Sequence, residues 1–230
     1  MADARGVLAV VPARRGSQGL PLKNLRLLDG VPLLVHSIRA ALAARSVDAV
    51  VVSTEDDEIA QVAAKHGAAV VRRPAELATD TAQNNAVVRH VLQSRHLTDR
   101  IVVLLQPTSP LRIAEDIDAC VAPILSGEAR SAMTVTEVDQ HPGKTVVIEQ
   151  GLIEPFTNDA DMEARRQTMR DVFRQNGAVY AIGARDFIEH DRFYLRPCRG
   201  VVVPAGRSVD IDSEIQLMLA ELILQRRSAQ

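Results

Sequence analysis

Basic and small residues are concentrated in one short loop near the start of the chain. Arg14, Arg15 and Lys23 supply positive charge there, and Ser17 adds a hydroxyl group. The loop follows an apolar run at residues 7–11, which is typical of a buried strand, and open α/β sheets bind ligands where their strands end. Such a loop could wrap a triphosphate with backbone amides and cations, but a solvated basic turn would have the same composition.

Two glycines in this loop, Gly16 and Gly19, allow the backbone to approach a ligand closely. The loop nevertheless matches neither of the common phosphate-binding patterns, G-x-x-x-x-G-K-[ST] and G-x-G-x-x-G. A phosphate-binding role therefore depends on support from other parts of the chain.

Two carboxylates near the end of the chain have the spacing of a metal site. In an extended segment Asp210 and Asp212 would project from one face, and Val209 and Ile211 from the other. Oxygen ligands suit Mg²⁺, which keeps several waters and could bridge the carboxylates to phosphates. Residues 213–216 also match a capping box, so Asp212 could instead merely start the last helix.

Five segments resemble, in order, the motifs of the acylneuraminate cytidylyltransferases, the enzymes that make CMP-sialic acids. They are the loop at 12–24, the stretch at 73–80, the Gln-Pro-Thr-Ser-Pro-Leu-Arg motif at 106–112, the Asn-Gly-Ala-Val-Tyr motif at 176–180, and Asp-Ile-Asp at 210–212. The resemblance spans nearly the whole chain. It implies transfer of CMP from CTP to the anomeric hydroxyl of a nonulosonic acid (sialic, legionaminic or pseudaminic acid), with release of pyrophosphate.

Two alternatives remain at this point. One is a 3-deoxy-manno-octulosonate cytidylyltransferase or another sugar nucleotidyltransferase. The other is a non-catalytic nucleotide-binding protein that keeps the fold. The intact set of Lys23, Asp210 and Asp212 argues against loss of catalysis.

The resemblance also implies roles for individual residues. Arg14, Lys23 and Asp212 would be catalytic, the first two by stabilising phosphate charge during transfer. The residues implied to bind CTP are Ala13, Arg14, Ser17, Lys23, Asn24, Arg73 and Asn84. Those implied to bind the sugar are Gln106, Ser109, Lys144, Arg166, Arg174 and Tyr180. The resemblance implies that Asp210 and Asp212 bind Mg²⁺. It implies CTP as the co-substrate.

Several of these residues have simpler interpretations. Lys23 could be a solvated surface lysine, and Asp80 could cap a helix that starts near Thr81. Arg112 would hold its own loop or pair with an acid. The basic residues of the 144–174 region could bind the sugar carboxylate in a two-pronged manner, or pair with neighbouring acids.

Four further residues have more than one interpretation. Gln18 stands where many relatives of the family carry lysine, so the loop has less positive charge, and Arg15 or a metal could compensate. Phe193 and Tyr194 could reach the sugar site of a partner subunit or pack in the core. No histidine stands in a convincing motif for a general base, and His141 is a minor candidate.

The elements that must position these residues follow from alternating patterns. Strand-like apolar runs occupy residues 7–11, 49–52, 68–71 and 101–105. Stretches of helical period occupy residues 32–44, 55–66, 82–95 and 115–125. Repeated β–α units predict an α/β fold with a doubly wound, mostly parallel sheet, and the resemblance implies its Rossmann-like nucleotidyltransferase form.

The pattern changes after residue 130. Residues 131–138, 144–149, 177–182 and 200–203 resemble strands, and residues 213–225 resemble an amphipathic helix. A polar, mixed-charge stretch predicts an inserted arm at about 139–175 on a single domain that covers residues 1–230. Members of the resembled family dimerise through this arm, so a homodimer is implied.

The composition narrows the class of protein. The chain has 230 residues, 47% hydrophobic and 24% charged, as is typical of a globular protein. A net charge of -2 and 3% aromatic residues weigh against nucleic acid as a partner. No apolar run reaches about 20 residues, no secretory signal is evident, and Cys120 and Cys198 make no disulfide framework. We therefore expect a cytoplasmic protein with small-molecule substrates and no membrane partner.

Overall fold

The computed structural model describes residues 6–17 and 19–228. Gln18 lies outside the described residues. The expectation that this loop is less positively charged rests on Gln18 and therefore stays a prediction. The strands are β1 (Val7–Pro12), β2 (Leu27–Leu28), β3 (Val31–Pro32), β4 (Ala49–Thr54), β5 (Ala69–Arg72), β6 (Ile101–Leu104), β7 (Ser131–Glu137), β8 (Val146–Glu149), β9 (Leu152–Pro155), β10 (Phe173–Gly183) and β11 (Cys198–Val202). The α-helices are α1 (Leu33–Ala43), α2 (Asp57–Lys65), α3 (Asn84–Ser94), α4 (Ala114–Leu125), α5 (Asp159–Glu163), α6 (Ala184–His190) and α7 (Glu214–Ser228).

The main sheet has the strand order β11-β7-β10-β6-β1-β4-β5. Strand β10 runs antiparallel to β6 and β7, and the other neighbouring strands of this sheet run parallel. From β1 the chain moves outward to β4 and β5, then returns to β6 on the other side of β1. The strand order therefore reverses between β1 and β6, which is where open α/β sheets bind ligands.

The two faces of the central strands explain why helices cover the sheet on both sides. Val7, Ala9 and Val11 pack in one cluster with apolar residues of α1, α2 and α4. Leu8 and Val10 pack in another with residues of α3 and α6. Because successive side chains of a strand point to opposite faces, an unbroken apolar run is buried on both sides.

The structure confirms the predicted fold class and its alternating elements, which differ from the predictions mainly at their ends. Asp56 caps α2 ahead of an acidic first turn, because its Oδ1 accepts a hydrogen bond from the Ile59 N–H at 2.9 Å. The sequence patterns missed the short helices α5 and α6 and the strands β2, β3 and β9.

Two local predictions are wrong. Asp80 does not cap a helix, because α3 begins later, at Asn84, and the Asp80 carboxylate pairs with Arg14 at 2.7 Å. Helix α7 is not amphipathic: Leu217 is buried, but apolar side chains also cover its exposed face. The exposed members are Ile215, Met218, Leu219 and Leu222.

The segment between β7 and β10 contains a separate two-stranded hairpin, β8–β9, followed by α5. It coincides with the predicted inserted arm, although the division of the chain into one domain with an arm stays a prediction. The hairpin exposes several large apolar side chains, namely Val147, Ile148, Leu152 and Ile153. Within the described residues, no helix has the length and apolar character needed to cross a bilayer.

Candidate active site

A cleft of about 330 Å³ opens where β1 and β6 end. Four segments form it: the loop after β1, the connection from β5 to α3, the loop after β6, and the segment before α7. It brings together residues that the sequence predicted for the nucleotide, the metal and the sugar, namely Arg14, Ser17, Lys23, Asn24, Arg73, Asn84, Gln106, Asp210 and Asp212. The switch point of the sheet is therefore also the meeting point of the predicted site.

The loop after β1 is fixed by hydrogen bonds at its two ends. Ala13 is buried, and its N–H donates to the Ser53 carbonyl at 3.0 Å, so it anchors the loop and does not line the cleft. The Asn24 side-chain amide donates to the Arg14 carbonyl at 2.8 Å and closes the neck of the loop. The main role of the Asn24 amide in this structure is thus to shape the loop.

Each cation of the cleft is paired with an acid from a distant segment. Arg14 contacts Asp80 at 2.7 Å, and Lys23 contacts Asp212 at 2.7 Å. The Lys23 side chain is only 15% exposed, so it is not a solvated surface lysine. An incoming polyphosphate can therefore replace these carboxylates as the partner of both cations.

Arg73 offers a further donor to the cleft. Its side chain is 3% exposed and its Nε donates to Glu55 at 3.1 Å. Its Nη2 is buried and has no hydrogen-bond partner among the described residues. Burial lowers the pKa of the guanidinium, and the charge of Glu55 opposes that shift. An orphaned buried donor that lines a cleft is typical of a site that takes a ligand.

Glu55, to which the sequence assigned no role in the site, joins two walls of the cleft. One carboxylate oxygen accepts from the Arg15 N–H of the loop at 2.7 Å, and the other accepts from Arg73. The sequence places Glu55 in an acidic helix start, and no local signal distinguishes it from its acidic neighbours.

The two carboxylates before α7 alternate with buried residues, as their spacing predicted. Ile211 is buried and its N–H donates to the Thr108 carbonyl at 2.7 Å, which fixes this segment against the loop after β6. Asp210 and Asp212 line the cleft. The Oδ1 of Asp210 is buried and has no hydrogen-bond partner among the described residues.

The cap of α7 does not use the Asp212 carboxylate. Gln216 Oε1 accepts from the Asp212 N–H at 2.8 Å and from the Ser213 hydroxyl at 3.0 Å. The Ser213 hydroxyl in turn accepts from the Gln216 N–H at 3.4 Å. The capping box is present, but Ser213 and Gln216 form it and leave the Asp212 side chain in the cleft.

A second cavity, of about 280 Å³, adjoins the first and shares Asn84 and Gln106 with it. Tyr180 lines it, and burial, followed by the nearby charge of Asp210, raises the pKa of the phenol. Phe193 is 7% exposed and packs on Phe187 with ring centroids 4.9 Å apart, which confirms the core-packing interpretation. Tyr194 is 47% exposed, so the core-packing interpretation is wrong for this residue, and its reach into a partner subunit stays a prediction.

A bulge in β10 lies between the two cavities. Gln175 pairs with Val135 and Tyr180 with Met133, so the intervening residues leave the regular ladder. Gly177 in this bulge has φ 75°, and a Cβ there would lie 2.8 Å from Gln106 Oε1. Only glycine lets the backbone approach the Gln106 side chain this closely.

Buried polar side chains tie the bulge to the other site segments. Asn176 donates to the Ser208 hydroxyl at 2.9 Å and accepts from the Thr134 hydroxyl at 2.6 Å. Ser109, predicted to contact the sugar, is fully buried and donates to the Asn176 carbonyl at 3.2 Å. Arg112 is buried and donates to the carbonyls of Gln106 and Ala178, which confirms that it holds its own loop.

The predicted sugar-binding cations line neither cavity. Lys144 donates to the carbonyls of Met162 and Ala164, Arg166 to that of Val138, and Arg174 to that of Gln175. These side chains bond backbone carbonyls and form no ion pairs among the described residues. His141 likewise contacts the Arg170 carbonyl and lines neither cavity. Their roles in binding or catalysis stay predictions.

Comparison with known proteins settles the family. The model of the Cytidylyltransferase family matches residues 8–186. This chain belongs to the cytidylyltransferase family. The match covers the loop after β1, the loop after β6 and the bulge of β10, and the resemblance seen in the sequence is confirmed.

Two relatives of this cytidylyltransferase show how far the similarity extends. This chain is 34% identical to the CMP-N,N'-diacetyllegionaminic acid synthase of Legionella pneumophila, over 95% of this chain and 96% of that protein. It is 30% identical to the N-acylneuraminate cytidylyltransferase of Streptococcus agalactiae serotype III, over 90% of this chain but 50% of that protein. The chain thus spans about half of the streptococcal relative.

A solved structure supports the fold independently. CMP:2-keto-3-deoxy-manno-octonic acid synthetase complexed with CTP superposes with a TM-score of 0.74, over 96% of this cytidylyltransferase and 99% of that chain. The two sequences are 17% identical. At this identity the superposition shows the shared fold and no more.

The contact between the loop and the carboxylate segment gives a test of the site geometry. A Cβ on Gly19 would lie 2.3 Å from the Asp212 carbonyl oxygen, whereas a Cβ on Gly16 would meet nothing within 4 Å. We expect Gly19→Ala to lower the free energy of unfolding by about 1–3 kcal/mol, because one of the two backbones must move. Gly16→Ala should change it by less than about 0.5 kcal/mol. Urea unfolding followed by circular dichroism measures both, and equal stabilities would contradict the described contact.

Proposed function

We propose that this cytidylyltransferase transfers CMP from CTP to the anomeric hydroxyl of a nonulosonic acid and releases pyrophosphate. The observation that carries the proposal is the pair of adjoining cavities at the end of β6. One is lined by cations and carboxylates suited to a nucleoside triphosphate, and the other by Gln106 and Tyr180. The substrates named for the relatives at 34% and 30% identity are nine-carbon acids.

An eight-carbon acid is the second candidate for the sugar. The solved synthetase for such an acid has the same fold, but its 17% identity is well below that of the nine-carbon relatives. Sequence similarity therefore favours nine-carbon substrates over the eight-carbon one.

The proposed reaction follows from the charges of the cleft. The oxygen of the sugar hydroxyl bonds to the α-phosphorus of CTP and its proton passes to water. The bond between the α- and β-phosphates breaks, and pyrophosphate leaves with the bonding electrons. Arg14 and Lys23 exchange Asp80 and Asp212 for phosphate oxygens and stabilise the charge that develops on the leaving group. The free Nη2 of Arg73 and the amide of Asn84 hold the nucleotide, and Gln106 orients the sugar at the boundary of the two cavities.

The residues before α7 fit the Mg²⁺ that the family resemblance implies. Asp210 Oδ1 is a buried oxygen without a hydrogen-bond partner among the described residues. The Asp212 side chain lines the cleft and is 64% exposed to solvent. Both supply the oxygen ligands that Mg²⁺ prefers. When bound, the ion would neutralise phosphate charge and lower the pKa of the attacking hydroxyl.

We also propose a homodimer that forms through the hairpin β8–β9. The supporting observation is its exposed apolar surface, in which Ile148 and Leu152 are 69% and 70% exposed. Surfaces of this kind are often covered by a partner. We place the reaction in the cytoplasm, which the unpaired thiols of Cys120 and Cys198 support.

A substrate panel tests the reaction. Protein, CTP and Mg²⁺ are incubated separately with N-acetylneuraminate, N,N'-diacetyllegionaminate, pseudaminate and 3-deoxy-manno-octulosonate, and pyrophosphate release is measured. We expect release with at least one nine-carbon acid and little with the eight-carbon acid. Turnover of the eight-carbon acid alone would move the protein to the second candidate function. CTP binding without turnover of any sugar would favour a non-catalytic protein.

The carboxylate site is tested by Asp210→Asn, which keeps the shape of the side chain and removes its charge. We expect pyrophosphate release to fall at least about 100-fold, because a fixed charge near the reacting phosphates is lost. Binding of Mn²⁺ in the presence of CTP, followed by paramagnetic resonance, should weaken in parallel. The exposed Asp139→Asn is the matched control and should bind Mn²⁺ as the parent protein does. Unchanged Mn²⁺ binding in Asp210→Asn argues against metal ligation by this residue.

The dimer is tested by placing a charge on each exposed apolar surface in turn. We expect Ile148→Asp, on the hairpin, to convert a dimer into a monomer in sedimentation equilibrium, because a charge cannot be buried there without a partner. Ile215→Asp, on the exposed face of α7, should leave the dimer intact. A monomeric parent protein, or the opposite pattern in the two variants, contradicts the hairpin interface.

A further inference from the structure

The cavity beside the nucleotide cleft has one charged side chain among the described residues that line it, and that side chain is Arg192. The other lining groups are amides, aromatic rings and apolar side chains, including Asn85, Gln175 and Met133. Arg192 forms neither an ion pair nor a hydrogen bond with any described residue. Arg192 is exposed, so it brings to the edge of the cavity a permanent positive charge with which no described residue is paired.

Hydrogen bonds to the preceding residue, Asp191, fix the backbone on the N-terminal side of Arg192. Asp191 ends α6 in the left-handed conformation, with φ 51°. Its carbonyl accepts from the Asn85 amide at 2.6 Å, and its carboxylate accepts from Arg89 Nη2 at 2.8 Å. Both donors lie on α3, so the helix that flanks the nucleotide cleft fixes the position of Arg192.

Phe193 and Leu195 fix the backbone on the C-terminal side of Arg192. Phe193 is buried between the rings of Phe187 and Tyr180. Leu195 is bonded twice to Ser131, with its N–H donating at 3.0 Å and its carbonyl accepting at 2.8 Å. The chain thus presents Arg192 from a fixed backbone while leaving its guanidinium without a partner, which is an arrangement suited to binding an anion.

The anion that fits this position belongs to the sugar and not to the nucleotide. The cations that line the nucleotide cleft, Arg14, Lys23 and Arg73, are available to phosphates, and Arg192 does not line that cleft. The carboxylate is the one anionic group of a free nonulosonic acid. The other cations predicted for the sugar line this cavity no more than they line the cleft, namely Lys144, Arg166 and Arg174.

We infer that Arg192 binds the carboxylate of the acidic sugar and makes this cavity selective for acids over neutral sugars. The inference rests on the proposed function, which supplies the sugar. A planar guanidinium can bind a carboxylate through two parallel hydrogen bonds. The amide side chains that line the cavity carry no positive charge to offer a carboxylate. Arg192 is in this view a residue that determines specificity, while Gln106 and the nucleotide cleft carry the reaction.

Binding measurements separate this role from a structural one. The affinities of N-acetylneuraminate and of its uncharged methyl ester are measured by calorimetry, for the parent protein and for Arg192→Gln. The same titrations are made with N,N'-diacetyllegionaminate and pseudaminate. Arg95→Gln is the matched control, since it removes the same charge from an exposed position that lines neither cavity.

We expect Arg192→Gln to weaken binding of the acid at least about tenfold, because a charge-assisted hydrogen bond is lost. Binding of the methyl ester, the KM for CTP and the circular dichroism spectrum should stay unchanged. Arg192→Lys should recover part of the affinity for the acid. Arg95→Gln should behave as the parent protein.

Three outcomes overturn the inference: equal loss for acid and ester, unchanged affinity for the acid, or the same loss in Arg95→Gln. Binding and turnover are measured separately, so failure of the proposed function is distinguishable from failure of this inference. Absence of pyrophosphate release with every acid contradicts the function. Normal turnover with unaltered acid affinity in Arg192→Gln contradicts only the role of Arg192.

Discussion

The buried guanidinium of Arg112 is the interaction on which the arrangement of the site depends. A charge taken out of water must find partners, and Arg112 finds them in the carbonyls of Gln106 and Ala178 and in the Ser37 hydroxyl. Burial lowers its pKa to about 9, against the opposing charges of Asp116 and Asp210. These bonds hold the loop after β6 against the bulge of β10, so the two cavities share a fixed boundary.

The remaining charges of the site are compensated before any nucleotide arrives. Arg14 is paired with Asp80, Lys23 with Asp212, and Arg73 with Glu55. Pairing limits the cost of holding cations close together in a confined cleft. It also means that binding a polyphosphate is an exchange of anionic partners, whose free energy is the difference between two sets of ion pairs and not the full strength of one.

The sequence predicted the elements and most of the cleft because both depend on local patterns. Continuous apolar runs indicated buried parallel strands, and loops directly after such strands meet at one edge of the sheet. What it could not predict depends on pairing over long distances. Asp80 looks like a helix cap until Arg14 is seen beside it, and Glu55 is one acid of several. Arg192 lies outside every matched motif, and only the cavity distinguishes it from other arginines.

Glu55 supports two segments of the cleft at once. One carboxylate holds the backbone of the loop after β1 at Arg15 and the side chain of Arg73, which follows β5. Under the proposed function, the contacts that these two segments make with a bound nucleotide share an anchor, and sites that share a partner do not contribute additively. Under the proposed function, affinity for the phosphates and the contact of Arg73 with the nucleotide would accordingly vary together, so that a substitution could not change one without disturbing the other.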